Sequence, residues 1–403
     1  MLKQVIIDKI NPVILICWLA SLVFEKEYKL MTTVSTIFFI FNIYLIRSYI
    51  KKSALVTFCR ENKLFLISFL IFIFANSITD FFIDYNSDDL KFTIDFIKYS
   101  LFLMFPFFLI QNIKSLYVCM VGCSVILTFF SLNGIYEYFV LNLSRAGEIP
   151  TLYAYVLMLL FPLGIVYFKL ANSNNKIYFI ISFLTLISLI LTQTRACWIA
   201  CFIGLCITAY LYKDIIKFIN VKKICIAALV LILFSSPILF KRVQDTINYK
   251  NSYSVERLYI WESAYKMGID FFWTGIGHDR NRFKELYNSQ YQLPESNEKG
   301  IIHPHNVFLN FFVKSGIFGL ISYVFFQIMQ LKYFSKTVFS KYEILKVLSV
   351  IGIWFFIVNL IGGCFEAYFH FIKMQKIYWV ILGIIIVGIE LVKNKDSNQN
   401  INN

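Results

Sequence analysis

Long apolar runs, separated by short polar stretches, are the feature that most limits what this chain can fold into. A helix that crosses a lipid bilayer needs about 20 apolar residues. Of the 403 residues, 59% are hydrophobic and only 15% are charged, which excludes a soluble globular protein, a disordered chain and a coiled coil. The sequence predicts an all-α polytopic membrane protein with about 12 transmembrane helices. The predicted spans are 10–24, 30–46, 64–84, 93–111, 115–136, 151–169, 177–192, 196–212, 224–240, 307–331, 344–362 and 376–392.

The basic residues are distributed unevenly between the two sides of the membrane. The net charge is +14, and the short connections on one side hold 20 Lys and Arg residues against 8 on the other. Cytoplasmic loops carry such an excess, so both termini are predicted to be cytoplasmic. The positive net charge therefore reflects the orientation of the chain in the membrane, and we expect no nucleic-acid partner. The nine cysteines lie almost all inside apolar runs and are interpreted as small lipid-facing or core-facing residues.

The spans divide the chain into four parts. Residues 1–240 hold transmembrane helices 1–9, and 241–306 form one long non-cytoplasmic loop. Residues 307–392 hold helices 10–12, and 393–403 form a polar cytoplasmic tail, of which we expect 394–403 to be disordered. Within the loop, segment 254–272 has apolar residues at helical spacing, which predicts an amphipathic helix lying on the membrane surface. Its apolar positions include Leu258, Trp261, Ala264, Tyr265 and Ile269.

Three arginines at the non-cytoplasmic edge of the membrane are candidate anion ligands. Arg195 lies between two apolar runs, Arg257 begins the predicted amphipathic helix, and Arg145 precedes the span at 151–169. A guanidinium is always charged, and its fixed fork of donors suits a phosphate. The alternatives remain open: Arg195 and Arg145 could extend to the interface, and Arg257 could pair with Glu256 or stack on Trp261.

The motif His303-Pro304-His305-Asn306 directly precedes the span at 307–331. Histidine ionises near neutral pH, so it can take a proton from a hydroxyl group. Two histidines at this spacing can also bind a metal ion. Because no carboxylate or third histidine accompanies them by spacing, we expect no metal here. The remaining alternative is that both histidines simply lie in a solvated turn.

The order of these motifs resembles that of the WaaL-type O-antigen ligases and the related O-antigen polymerases. An apolar helix is followed by Thr192-Gln193-Thr194-Arg195-Ala196, and the long loop opens with Arg257 and Trp261. Gly275, Gly277 and Phe283 correspond to a G-x-G followed by an aromatic residue, although Trp273-Thr274 stands where many relatives have a proline. His305-Asn306 and the glycines Gly316 and Gly319 complete the pattern, which covers roughly 140–330.

The resemblance implies a membrane glycosyltransferase of the Gram-negative inner membrane, with its active site facing the periplasm. It implies a glycan linked to undecaprenyl diphosphate as donor, lipid A-core oligosaccharide as acceptor, and inversion at the sugar without a metal or other cofactor. His305 is the expected base. Arg195 and Arg257, with Arg145 as a third candidate, are expected to bind the donor diphosphate. Asn306, His303 and Trp261 are expected to support them.

Three other functions were compared with ligation. An O-antigen polymerase uses the same donor, and the sequence separates it poorly from a ligase because acceptor choice depends on loop shape. A polysaccharide transporter or flippase would place charges at the membrane midplane, whereas the charges here lie at one face. A metal-dependent glycosyltransferase would need acidic residues in its first outer loop. Glu25 and Glu27 are present there, but Lys26 and Lys29 beside them favour a solvated turn.

Overall fold

The computed structural model describes residues 5–24, 54–83, 87–170, 175–212 and 253–401, and every regular element in these ranges is helical. The predicted all-α fold class is therefore confirmed. Several helices are preceded or followed by single π or 3-10 turns, such as Ile6–Ile10 and Tyr368–His370. The α-helices are α1 (Asn11–Val23), α2 (Ala54–Glu61), α3 (Lys63–Ile78), α4 (Ser87–Ser100), α5 (Phe105–Leu109), α6 (Ile113–Phe139), α7 (Pro150–Leu170), α8 (Asn175–Leu191), α9 (Arg195–Leu211), α10 (Tyr253–Asp270), α11 (Arg280–Leu286), α12 (Val307–Ser335), α13 (Glu343–Gly363) and α14 (Ile372–Ile401).

Ten of the twelve predicted spans have a helix at the predicted place. Three of these are shorter apolar helices: Pro150–Leu163, Ile180–Leu191 and Arg195–Leu211. The predicted spans at 30–46 and 224–240 lie outside the described residues. Within the described residues, seven helices are long and apolar enough to cross a bilayer: Ile6–Val23, Lys63–Phe81, Asp89–Leu109, Ile113–Phe139, Val307–Ser335, Glu343–Gly363 and Ile372–Asn394.

The last helix, α14, is the centre of the bundle. Every residue from Met374 to Glu390 is buried, and α2, α4, α5 and α13 all pack against it. A helix that is apolar on all sides can pack against lipid or against other helices, and here the other helices cover it. The helix also continues beyond residue 392 as far as Ile401. The expectation that residues 394–403 are disordered is therefore wrong for 394–401.

The long span α12 is broken at Gly316, where the backbone takes φ 63° and ψ −165°. The break frees backbone groups that a continuous helix would pair internally. The loop segment containing Gly275 and Gly277, both at positive φ, inserts at this point. Three hydrogen bonds join the two: Ile276 N–H to Val313 O (2.9 Å), Gly277 N–H to Lys314 O (3.0 Å) and Ile317 N–H to Phe272 O (2.8 Å). The long loop is thus attached to the membrane helix that follows it.

A buried ionic network attaches the same loop segment to the first half of the chain. Asp89 accepts hydrogen bonds from the backbone amides of His278 (3.0 Å) and Asp279 (2.8 Å), and from the Arg282 guanidinium (2.8 Å). Asp80 lies 3.0 Å from Nδ1 of His278. Buried carboxylates need hydrogen-bond or ionic partners, so this network holds the loop against the end of α3 and the start of α4. The sequence predicted no role for His278.

The predicted amphipathic helix is present as α10, but its apolar residues divide between two faces. Ala264 is buried, with Ile260 and Met267, in the cluster beneath the loop. Leu258, Tyr265 and Ile269 are 56%, 55% and 46% exposed and lie along one stripe of the helix. The apolar positions that the sequence groups together therefore do not all lie on one face of the helix. The exposed stripe suits a helix on the membrane surface, which stays a prediction.

Candidate active site

Asn306 forms the N-cap of α12 and so fixes the position of the residue before it. Its Oδ1 accepts the backbone N–H groups of Phe308 (2.9 Å) and Leu309 (3.1 Å). Its Nδ2 donates to the carbonyl oxygen of Cys364 at 3.0 Å, which joins the start of α12 to the end of α13. Both polar atoms of the side-chain amide are hydrogen-bonded, so Asn306 holds the backbone around His305 in place.

His305 has a left-handed backbone, with φ at 50°, which a residue other than glycine seldom adopts. Two contacts stabilise it: its N–H donates to Nδ1 of His303 at 3.2 Å, and its own Nδ1 lies 3.1 Å from Oε1 of Glu366. The His305 side chain is 31% exposed, whereas that of His303 is 5% exposed. Strained backbone held by its surroundings is frequent at functional sites. Because its side chain is the more exposed of the two, His305 is the histidine that a substrate can reach.

Glu366 is the functional candidate that the sequence analysis did not identify. It lies in the turn after α13, where the N–H of Ala367 donates to its Oε1 at 3.1 Å. Burial alone would raise the pKa of this carboxyl. The hydrogen bond from His305 and the positive charges of His305, His303 and Arg257 outweigh burial and lower the pKa to about 2. The group is therefore a carboxylate at neutral pH.

The ionised Glu366 determines which nitrogen of His305 can act as a base. A carboxylate only accepts hydrogen bonds, so Nδ1 of His305 must carry the proton between them. In the neutral imidazole, Nε2 then has the free lone pair. This carboxylate–imidazole pair is the arrangement that orients a general base and stabilises it once it is protonated.

The same residues form a cluster that could hold a metal ion. One possible ligand atom from each of His303, His305 and Glu366 lies within 4.8 Å of the other two. The carboxylate that the sequence spacing did not supply comes from a distant turn. The His370 ring also lies close, with its centroid 4.5 Å from that of His303.

Arg257 lies in the second turn of α10 and reaches the same site. Its charge acts on Glu366, and the side chain is part of the pocket next to it. Glu256 instead accepts hydrogen bonds from Ser296 (2.9 Å) and Asn297. Trp261 packs its ring against Phe365, with the centroids 6.2 Å apart. The structure therefore shows neither alternative: Glu256 and Trp261 have these other partners.

The pocket beside Glu366 is small, with a cavity volume of about 20 Å³, and it extends from the site to the start of α9. Thr194, Ala196 and Cys197 line one wall of it. Arg195 is the first residue of α9, between the lining residues Thr194 and Ala196. The backbone at Arg195 and the side chain of Arg257 are thus at the same pocket. The other lining residues are Thr151, Leu152, Tyr155, Gly362, Phe365, Glu366 and Tyr368.

Arg145 braces the turn that leads into α9. Its Nε donates to the carbonyl oxygen of Thr192 at 2.9 Å, and Nη2 donates to Oγ1 of Thr194 at 3.2 Å. Gln193, at φ 53°, donates from its side chain to Ser144 O in the opposite direction. Arg145 therefore supports the segment carrying Arg195, and this contact occupies donors that a phosphate would otherwise use.

Residues 180–324 match the family model described as O-Antigen ligase. The matched segment begins within α8 and ends within α12, and it contains Arg195, Arg257 and the motif at 303–306. A comparison with curated proteins finds no significant match. The family match confirms the resemblance seen in the motifs. It supports O-antigen ligase or polymerase activity, which in either case is the work of a membrane glycosyltransferase on lipid-linked glycans.

Proposed function

We propose that this protein is an O-antigen ligase that transfers a glycan from undecaprenyl diphosphate to lipid A-core oligosaccharide. The proposal rests on its O-antigen ligase segment and, above all, on one observation: His305, Glu366 and Arg257 converge beside a single pocket. The first two can activate an acceptor hydroxyl, and the third can bind an anionic leaving group.

The acceptor side of the reaction uses His305. A sugar hydroxyl is a poor nucleophile until a base takes its proton. In the proposed step, Nε2 of His305 accepts that proton while the hydroxyl oxygen forms a bond to the anomeric carbon of the donor. Glu366 then stabilises the imidazolium that results, because its carboxylate lies 3.1 Å from Nδ1.

The donor side of the reaction uses the arginines. As the new bond forms, the bond from the anomeric carbon to the diphosphate breaks, and the electron pair leaves with the diphosphate on the opposite face, which inverts the anomeric centre. Arg257 and Arg195 are proposed to neutralise this charge through bidentate contacts. Arg145 contributes by bracing the turn before Arg195. Two guanidiniums supply the positive charge, so the proposed mechanism is metal-independent.

The reaction is proposed to take place at the periplasmic face of a Gram-negative inner membrane, with both termini in the cytoplasm. The distribution of Lys and Arg supports this orientation. It places the loop, the start of α12 and the turn holding Glu366 on the side where both lipid-linked substrates present their sugars.

Loss of the protein in cells that make the lipid-linked polymer tests ligation directly. A ligase predicts that full-length polymer accumulates on undecaprenyl diphosphate while the core stays unsubstituted. Single repeats attached to core would instead identify the protein as an O-antigen polymerase, and unchanged lipopolysaccharide would contradict both activities.

A further inference from the structure

His303, His305 and Glu366 offer a set of donors that zinc commonly binds. Two imidazoles and a carboxylate, with a fourth position left to water, is a frequent coordination sphere for Zn²⁺. Two ligand atoms of a tetrahedral zinc are about 3.4 Å apart, given bond lengths of about 2.1 Å. The Nδ1 atoms of His305 and His303 lie 3.1 Å and 3.9 Å from Oε1 of Glu366, on either side of that value.

The surroundings of the three side chains also suit a metal that exchanges with solution. His303 and Glu366 are largely buried, and the Asn306–Cys364 hydrogen bond joins the two segments that carry them. His305 is 31% exposed and leaves an open side for a water ligand.

We propose that His303, His305 and Glu366 form a site for one zinc ion, and that zinc bound there switches the base off. Zinc would bind Nδ1 of His305, where the proton donated to Glu366 now lies. A neutral imidazole carries one proton, so that proton would then be on Nε2. The nitrogen that has to accept the proton of the sugar hydroxyl would become a donor. The inhibitory effect rests on the proposed function, whereas the binding site does not.

Zinc binding can be measured on the full-length protein in detergent, after chelators have removed bound metal. Competition with a chromophoric chelator should give one zinc per chain at micromolar affinity or tighter. Cobalt in the same site should give the intense visible absorption of four-coordinate Co²⁺, which needs no variant and no substrate. Absence of binding, or a six-coordinate cobalt spectrum, would overturn the site.

Variants then locate the metal and test its effect. His303→Gln and Glu366→Gln should each weaken zinc binding at least ~10-fold. Glu295→Gln, the same substitution at an exposed position in the loop, should leave it unchanged. Added zinc should inhibit transfer by the wild-type protein, and chelation should restore it. Transfer that requires zinc would overturn inhibition, and zinc binding without any glycosyl transfer would refute the proposed function while leaving the site intact.

Discussion

Oε1 of Glu366 lies 3.1 Å from Nδ1 of His305, although the two residues are 61 positions apart in the chain. The contact joins the start of α12 to the turn after α13, and the Asn306–Cys364 hydrogen bond holds the same two segments together. One part of the chain supplies the candidate base and another orients it.

The pair predicts a graded loss of transfer when its members are changed. His305→Ala should abolish transfer because no proton acceptor remains, and Glu366→Gln should lower the rate by about 100-fold because the imidazolium loses its counter-charge. His303→Ala should keep substantial activity, since Glu366 still orients the base. Transfer can be followed in vitro with purified donor and acceptor. Full activity in His305→Ala would contradict the base assignment.

Stability at low pH should depend on Glu366. Its pKa is about 2 in the folded protein against an ordinary 4.5, so ionisation stabilises the fold. That contribution is lost as the pH falls from 4.5 towards 2. The difference in Tm between wild type and Glu366→Gln should therefore shrink over this range. A Tm difference that grows as the pH falls below 4.5 would show that ionisation of Glu366 does not stabilise the fold.

Arg195 and Arg257 should not tolerate lysine. A lysine keeps the charge but cannot reproduce the two parallel hydrogen bonds of a guanidinium with a phosphate. Each Arg→Lys substitution should lower transfer at least ~10-fold and weaken binding of the lipid-linked donor. Arg60→Lys is the matched control, because the Arg60 side chain is 79% exposed and far from these motifs in the chain. Full ligation with lysine at both positions would exclude a shared diphosphate site.

The break in α12 should tolerate no side chain. A Cβ at Gly316 would lie 2.6 Å from the carbonyl oxygen of Trp273, and the positive φ adds strain. Gly316→Ala should therefore lower stability by about 1–3 kcal/mol, measured as a fall in Tm. Gly388→Ala is the control, since its nearest neighbours are flexible leucine side chains at 3.3 Å and its φ is not positive. Equal effects of the two variants would contradict the structural role of the break.

The orientation of the long loop can be tested by labelling. Ser289 is exposed in the loop, so Ser289→Cys should react with a membrane-impermeant thiol reagent once the outer membrane is permeabilised. Ser335→Cys, exposed at the other end of α12, should react only after the inner membrane is opened. The parent protein with its native cysteines gives the background. The reverse labelling pattern would show that the long loop faces the cytoplasm.

Apolar runs made the spans predictable, because the bilayer imposes the length of each helix. Arg195, Arg257 and His305 were predictable because each stands in a motif at a membrane edge. Glu366 was not, since its partner lies 61 positions away and no local pattern connects them. A signal did exist: Glu366 is an acid between two apolar runs on the same predicted side, and charges in such places are costly unless they are used.

The faces of α10 could not be assigned from spacing alone. The helix is apolar on two sides, and only its contact with α12 determines that Ile260, Ala264 and Met267 face inwards. Arg145 shows the same limit, because its hydrogen bonds to Thr192 and Thr194 depend on a turn that the sequence does not specify.

The insertion of the Gly275–Gly277 segment at Gly316 restricts how two bulky substrates can reach the pocket. Opening the loop as a lid would separate three backbone hydrogen bonds and the buried contacts of Asp80 and Asp89 together. The segment from Gly275 to Gly277 is therefore a fixed part of the helical bundle and not a mobile lid. In the proposed reaction, a lipid-linked donor and its acceptor would therefore have to reach the pocket without any movement of this segment.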